Sequence, residues 1–270
     1  MSPTDRIGWF PGHMAQSIRL MQERLALVDV IIEVVDARLP TISANPLLNT
    51  LIGERPRLVL LGREDLADPG LTGKWVAYEQ QLGRTALAIN GKLQGSVRNA
   101  LPLLDDLTNR RKTARAMVVG IPNTGKSTVI NGLAKRIAAK AEDKAGVTRA
   151  LSWFRVSPTL EIMDTPGIMA PKIETHEAQW QLALCNALPR ERYDAQDVVT
   201  KFTEWAAMHH RAVPDLEAFA RRRGFLRRGN EVDLHTAAAA YVKDFNLAKF
   251  GRITFETPPA VEAAPVEAAS

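Results

Sequence analysis

The stretch Gly120-Ile121-Pro122-Asn123-Thr124-Gly125-Lys126-Ser127 constrains this chain more than any other. Glycine, four residues and then Gly-Lys-Ser is the pattern of a phosphate-binding loop, and its surroundings fit that reading. An apolar β-branched run, AMVVG, enters it, and a helix-forming run, STVINGLAKRI, leaves it. The glycines let consecutive backbone N–H groups curl around phosphate oxygens, and the helix N-terminus adds positive potential. Lys126 is expected to reach the terminal phosphates, and Ser127 to offer its hydroxyl to Mg²⁺. Asn123, Thr124, Gly125 and Thr128 complete the contacts expected of this loop.

The rest of the chain alternates in the manner of a parallel sheet covered on both faces. Buried strands are read at Val28–Val35, Leu58–Leu61, Ala86–Ile89, Ala116–Val119, Ser152–Val156 and Leu160–Met163. Helices are predicted at roughly 14–27, 70–82, 95–110 and 126–140. After Glu174 the pattern becomes helical to about Phe250, with no convincing strand, and TPPAVEAAPVEAAS reads as a disordered tail. The expected organisation is an α/β domain at 1–173, a small all-helical domain at 174–255 and a tail at 256–270.

Composition narrows the function classes. Hydrophobic residues make up 46% and charged residues 24%, as in a soluble globular chain. The longest apolar run, Val30–Val35, is too short to span a bilayer, so no membrane partner is expected. MSPTDRIGWF has no basic stretch followed by an apolar core, so no export signal is read there. A lone cysteine, Cys185, cannot form an internal disulfide, which suits a reducing cytoplasm, and a monomer is the expected state in solution. The net charge of +5 agrees with an anionic partner without identifying one.

Downstream of the loop, LEIMDTPG at 160–167 reads as the second half of a nucleotide site. Asp164 would hold the magnesium and Gly167 would offer its N–H to the γ-phosphate. Between them, Thr148 in KAGVTRA is placed to meet both metal and γ-phosphate. No Asn-Lys-x-Asp guanine element follows. A near match, Gly62-Arg63-Glu64-Asp65, lies upstream instead, and the next strand leads into Asn90-Gly91-Lys92, where a loop backing the base would stand. The base-pocket elements keep their mutual order but precede the phosphate loop. That is a circular permutation of a GTPase domain, on a six-stranded, mostly parallel sheet.

WFPGHM at 9–14, DARLP at 36–40, NPLL at 45–48, GIPNTGKST and DTPGIMAPK together resemble the circularly permuted ribosome-biogenesis GTPases of the YlqF/RbgA family, over about residues 6–255. The resemblance implies GTP and GDP as ligands and a slow GTPase that the ribosome stimulates. It also implies late assembly of the large ribosomal subunit, with docking on the subunit precursor and its rRNA set by the nucleotide state. The base pocket departs from the family: Gly62 stands where Asn is expected and Arg63 where Lys is. In the usual pocket Asn bonds the guanine edge and helps tie the loops together, the Lys stem packs over the base, and Asp accepts from N1–H and the exocyclic amine. Arg63 offers a stem and a plane to stack, Gly62 offers no side chain, and Asp65 keeps the contacts that adenine cannot reproduce.

For hydrolysis, Ile168 stands where many GTPases carry a water-orienting Gln. The family assigns that role to the His of Gly-His-Met, here His13, whose other reading is a helix cap or an RNA contact. Asn123 reads either as a K⁺ ligand or as a turn residue, and Asp36 with Arg38 as a structural salt bridge and turn. Arg221, Arg222, Arg223, Arg227 and Arg228 flank a short apolar turn and, given the resemblance, read as rRNA contacts rather than a solvated face. His176, His209, His210 and His235 show no metal-ligand spacing with Cys185. The competing readings are a non-catalytic RNA-binding assembly factor with a degenerate guanine pocket and, more weakly, an ATPase.

Overall fold

A computed structural model describes residues 19, 22–44, 46–134, 153–164, 173 and 175–260. Six strands form one sheet: β1 (Val30–Asp36), β2 (Arg57–Gly62), β3 (Thr85–Ala88), β4 (Ala114–Val119), β5 (Trp153–Ser157) and β6 (Leu160–Asp164). Their spatial order is β3-β2-β1-β4-β6-β5. The pairings are parallel except that β5 runs antiparallel to β6. The C-terminal ends of the parallel strands therefore share one edge of the sheet, where ligands of open α/β folds bind.

Strand alternation decides which helix covers which face. Val30, Ile32 and Val34 of β1 face a core shared with α3 (Gln94–Arg98), α4 (Ala100–Leu107) and α5 (Lys126–Ala134). Ile31 packs with Leu48 and Ile52 of α1 (Pro46–Ile52), and Val35 with Trp75 of α2 (Pro69–Gln81), on the opposite face. The predicted 95–110 helix is broken at Asn99. Pro102 explains the break, because it has no N–H for the Arg98 carbonyl and its ring crowds the preceding turn. Helix α1 was not anticipated beyond the NPLL motif, since seven residues carry too little periodicity to announce a helix.

The C-terminal half folds as α6 (His176–Leu184), α7 (Ala195–Met208), α8 (Leu216–Arg223) and α9 (Leu234–Phe245). Each begins at a side chain that accepts from its first-turn N–H groups: Thr175, Asp194, Asp215 and Asp233. Their shared core centres on Phe202, Phe219, Tyr241 and Phe245, and it also takes in Leu39 from the sheet domain and Ile121 from the phosphate loop. The chain then returns to the sheet. Ile253 N–H donates to the Leu66 carbonyl, Phe255 N–H to that of Arg38, and Arg252 to those of Ala67 and Glu64. Glu256 accepts from the N–H groups of Thr41 and Ile42. This corrects the expected tail boundary: Glu256 belongs to the fold because its carboxylate caps the turn after DARLP.

Candidate nucleotide site

The phosphate loop is built by close approach. Gly120 at φ 147° lies so near β1 that a Cβ would overlap the Val34 carbonyl oxygen, so glycine is obligatory. Asn123 at φ 61° and Gly125 at φ 101° complete the curl. Asparagine tolerates that left-handed conformation, so the turn accounts for its presence at 123. The Thr124 hydroxyl and the Lys126 ammonium both donate to the Ile121 carbonyl, at 3.0 and 2.8 Å. Burial pushes the Lys126 pKa down to about 8, with Asp164 opposing the shift. Ser127 and Thr128 stand exposed in the first turn of α5. Asp164 ends β6, in register with Val118 of the strand that feeds the loop.

The guanine element lies where the permutation argument puts it. Gly62, Arg63 and Asp65 line one cavity with Asn90, Gly91, Thr124, Gly125 and Thr128, about 320 Å³ in volume. Gly91 lies close to the phosphate-loop helix, since a Cβ there would come 2.8 Å from the Thr128 methyl, which would have to shift. Asp65 bonds Lys92 at 2.8 Å. Glu64 approaches the Ser96 hydroxyl at 3.5 Å rather than lining the cavity. Arg63 lines the cavity, and its guanidinium donates to Asn123 O at 2.6 Å, Cys185 O at 2.9 Å and Asp36 at 3.3 Å.

Asn186 and Asn246, from the helical end, also line the cavity. Neither was anticipated, because sequence spacing carries no signal for a residue brought in from another unit. Lys92 went unassigned too, although it belongs to the expected backing loop. Asn246 is held by Arg38, which donates to it at 2.9 Å while binding Asp36 through two nitrogens at 2.9 and 2.7 Å. This is the structural ion pair read from DARLP, fully buried. Burial alone would raise the Asp36 pKa, but Arg38 and Arg63 outweigh it and hold the carboxylate ionised. Burial pushes the Cys185 thiol up to about 12, so it stays protonated.

Of the arginine cluster, Arg223 bonds Asp244 and Arg227 bonds Asp233, while Arg221 pairs along its helix with Glu217. Arg222 and Arg228 are exposed with no ion-pair partner among the described residues. The cluster thus divides into fastened and open members, because acidic caps and α9 claim part of it. His13, Thr148, Gly167 and Ile168 lie outside the described residues.

Comparison with known proteins agrees with this geometry. Residues 115–213 match the family model described as a 50S ribosome-binding GTPase. A Bacillus cereus protein named ribosome biogenesis GTPase A is 36% identical, over 93% of this chain and 94% of its own length. The GNP-bound structure of YlqF from T. maritima is 29% identical, with a TM-score of 0.70, over 91% of this chain and all of the other. A GDP-bound YlqF structure matches equally, at TM-score 0.70 over 89% of this chain. With its guanine element upstream of its phosphate loop on a single sheet edge, the chain belongs to the circularly permuted ribosome-biogenesis GTPases of the YlqF/RbgA family.

Proposed function

We propose that this protein is a GTP-binding and GTP-hydrolysing ribosome biogenesis factor whose nucleotide state sets its docking on the large-subunit precursor. One observation carries the reading: the guanine element and the phosphate loop, separated in the chain by everything from α2 to β4, line a single cavity. The non-catalytic alternative is not favoured, since the relatives matched over most of the chain are named GTPases.

The chain's own groups divide the work. Arriving phosphates draw the Lys126 ammonium from the Ile121 carbonyl, while the first-turn N–H groups of α5 face the same charge. Asp65 accepts from N1–H and the exocyclic amine of guanine, with Lys92 beside it neutralising the carboxylate. Mg²⁺ fits the donors present. Ser127 and Asp164 are hard oxygen ligands at the same sheet edge, and among the described residues no cluster of three His, Cys, Asp or Glu side chains competes for another metal. Bound there with Thr148, the ion would neutralise charge on the transferring phosphoryl group. His13 is the proposed water-positioning group. K⁺ has one candidate donor, Asn123, which the turn already explains.

The proposed division is a GTPase unit over 1–173 and an rRNA-contacting helical unit from 174, with Arg222 and Arg228 as its open cations. No helix among the described residues is long and apolar enough to cross a membrane. The test is hydrolysis of GTP and of ATP, with and without large subunits, in K⁺ and then in Na⁺. Subunit-stimulated turnover of GTP alone, lost in His13→Ala with subunit binding retained, is the expected result. Equal turnover of ATP would overturn the guanine assignment.

A further inference from the structure

Gly62 leaves the guanine loop without the side chain that would tie it to the phosphate loop. The vector from its Cα shows where that side chain would go: a Cβ would lie 3.3 Å from the Thr124 carbonyl oxygen. The next residue already occupies this ground. Arg63 adopts a left-handed conformation, φ 59° and ψ 33°, which is unfavourable for a long side chain and must be held by its surroundings. What holds it is three acceptors from three parts of the fold. They are Asn123 O in the phosphate loop, Asp36 at the end of β1, and Cys185 O at the end of α6. Asp36 is shared with Arg38, and so is Cys185 O, which Arg38 reaches at 3.1 Å.

We propose that Arg63 ties the guanine loop to the phosphate loop in place of the side chain absent at Gly62, and through Cys185 makes the helical end a third wall of the nucleotide site. It is a positioning residue: its guanidinium holds two backbone carbonyls and the Asp36 carboxylate. Two features suit it to this work. A planar fork reaches these acceptors from two separate nitrogens, one on Asp36 and Cys185 O and the other on Asn123 O, a spread that the single nitrogen of an ammonium does not offer. The α6 turn it grips is also continuous with the core that buries Ile121 of the phosphate loop, so the tie and the packing restrain the same loop from two sides. The proposal rests on the guanine reading of the site.

The experiment is a double-mutant cycle on GDP affinity, measured by calorimetry in the full chain with Mg²⁺, for wild type, Gly62→Asn, Arg63→Ala and the double variant. ADP is run as the control, and thermal melting verifies folding. Arg63→Ala is expected to weaken GDP about tenfold to a hundredfold. Gly62→Asn should gain more in the Arg63→Ala background, where it restores a missing tie, than in wild type, where the tie exists. Wild-type affinity in Arg63→Ala, or the same gain in both backgrounds, overturns the proposal. Equal GDP and ADP affinities in wild type would instead sink the guanine reading itself. The helical limb is read by hydrogen exchange. GDP should slow the amides of Asn186 and Ala187 in wild type but not in Arg63→Ala, whereas no GDP effect on them in wild type overturns that limb.

Discussion

The ammonium of Lys126 donates to the carbonyl of Ile121 at 2.8 Å, so the loop's own backbone engages its lysine. Burial holds that lysine at about 8, below its ordinary 10.5. Bound phosphate favours the charged form and raises the value again. Nucleotide binding should therefore take up a proton above pH 8, and affinity should fall by up to about tenfold per pH unit beyond it. In nucleotide-free protein the sign is opposite, since the folded state binds the proton less tightly than the unfolded one, and stability rises from pH 8 towards 10.5. Calorimetry in buffers of different ionisation enthalpy checks the proton uptake, and Lys126→Ala should abolish both uptake and GDP binding.

In the proposed site Asp65 is the residue that would carry guanine selectivity, in a pocket that lacks the usual asparagine. Asp65→Asn should cost roughly 1–3 kcal/mol in GDP affinity, because one acceptor becomes a donor facing donors. ADP binding should stay unchanged. Competition of both diphosphates against a fluorescent guanine nucleotide measures the ratio.

Gly120→Ala should fail for a steric reason. The added Cβ meets the Val34 carbonyl, and φ 147° is strained for alanine. The backbone strain alone is on the order of 1–3 kcal/mol. A lowered Tm together with lost GDP binding is the expected outcome, whereas Gly73→Ala, whose Cβ would meet nothing within 4 Å, should bind GDP as wild type does.

Arg38→Met leaves Asp36 buried with only Arg63 to answer its charge. Breaking one side of such a pair costs about 3–5 kcal/mol. Arg38→Lys should recover little, because one nitrogen cannot reproduce the two-nitrogen contact with Asp36 while also reaching Asn246 and Cys185. Urea unfolding of the three proteins gives the comparison.

Arg222→Ser with Arg228→Ser should weaken rRNA binding and flatten its salt dependence by about 0.7–0.9 in log–log slope for each phosphate that is no longer neutralised. Arg223→Ser should act mainly on stability, since Arg223 bonds Asp244 and lies over the Phe219 ring at 5.7 Å. Filter binding to an rRNA fragment over a series of salt concentrations separates the two effects.

The sheet was legible because β-branched or aliphatic runs between turn signals dominate β1, β2 and β4, and the phosphate loop because steric necessity writes its glycines into the chain. The permutation was legible from motif order alone. What escaped was relational. Nothing in GREDLAD shows that the guanidinium of Arg63 faces a carbonyl at the end of α6, and nothing around Asn246 marks it as a wall of the cavity. The arginine run looked uniform in sequence, and only the caps and the α9 carboxylate divide it. Helix α4 begins where Pro102 removes a hydrogen bond, a local cause that a periodicity search passes over.

The strap from Arg252 to Glu256 has a consequence for synthesis. The guanine loop emerges from the ribosome well before the groups that brace it, Arg252 on the Glu64 and Ala67 carbonyls and Thr254 on the Asp68 N–H, which follow all of α9. A nascent chain halted after α9 therefore holds the guanine loop, the phosphate loop and Asp164, and still lacks the brace beneath the base. The pocket is finished only once the segment after α9 has been made, so a product cut at Phe245 would be a poor competitor for guanine nucleotide.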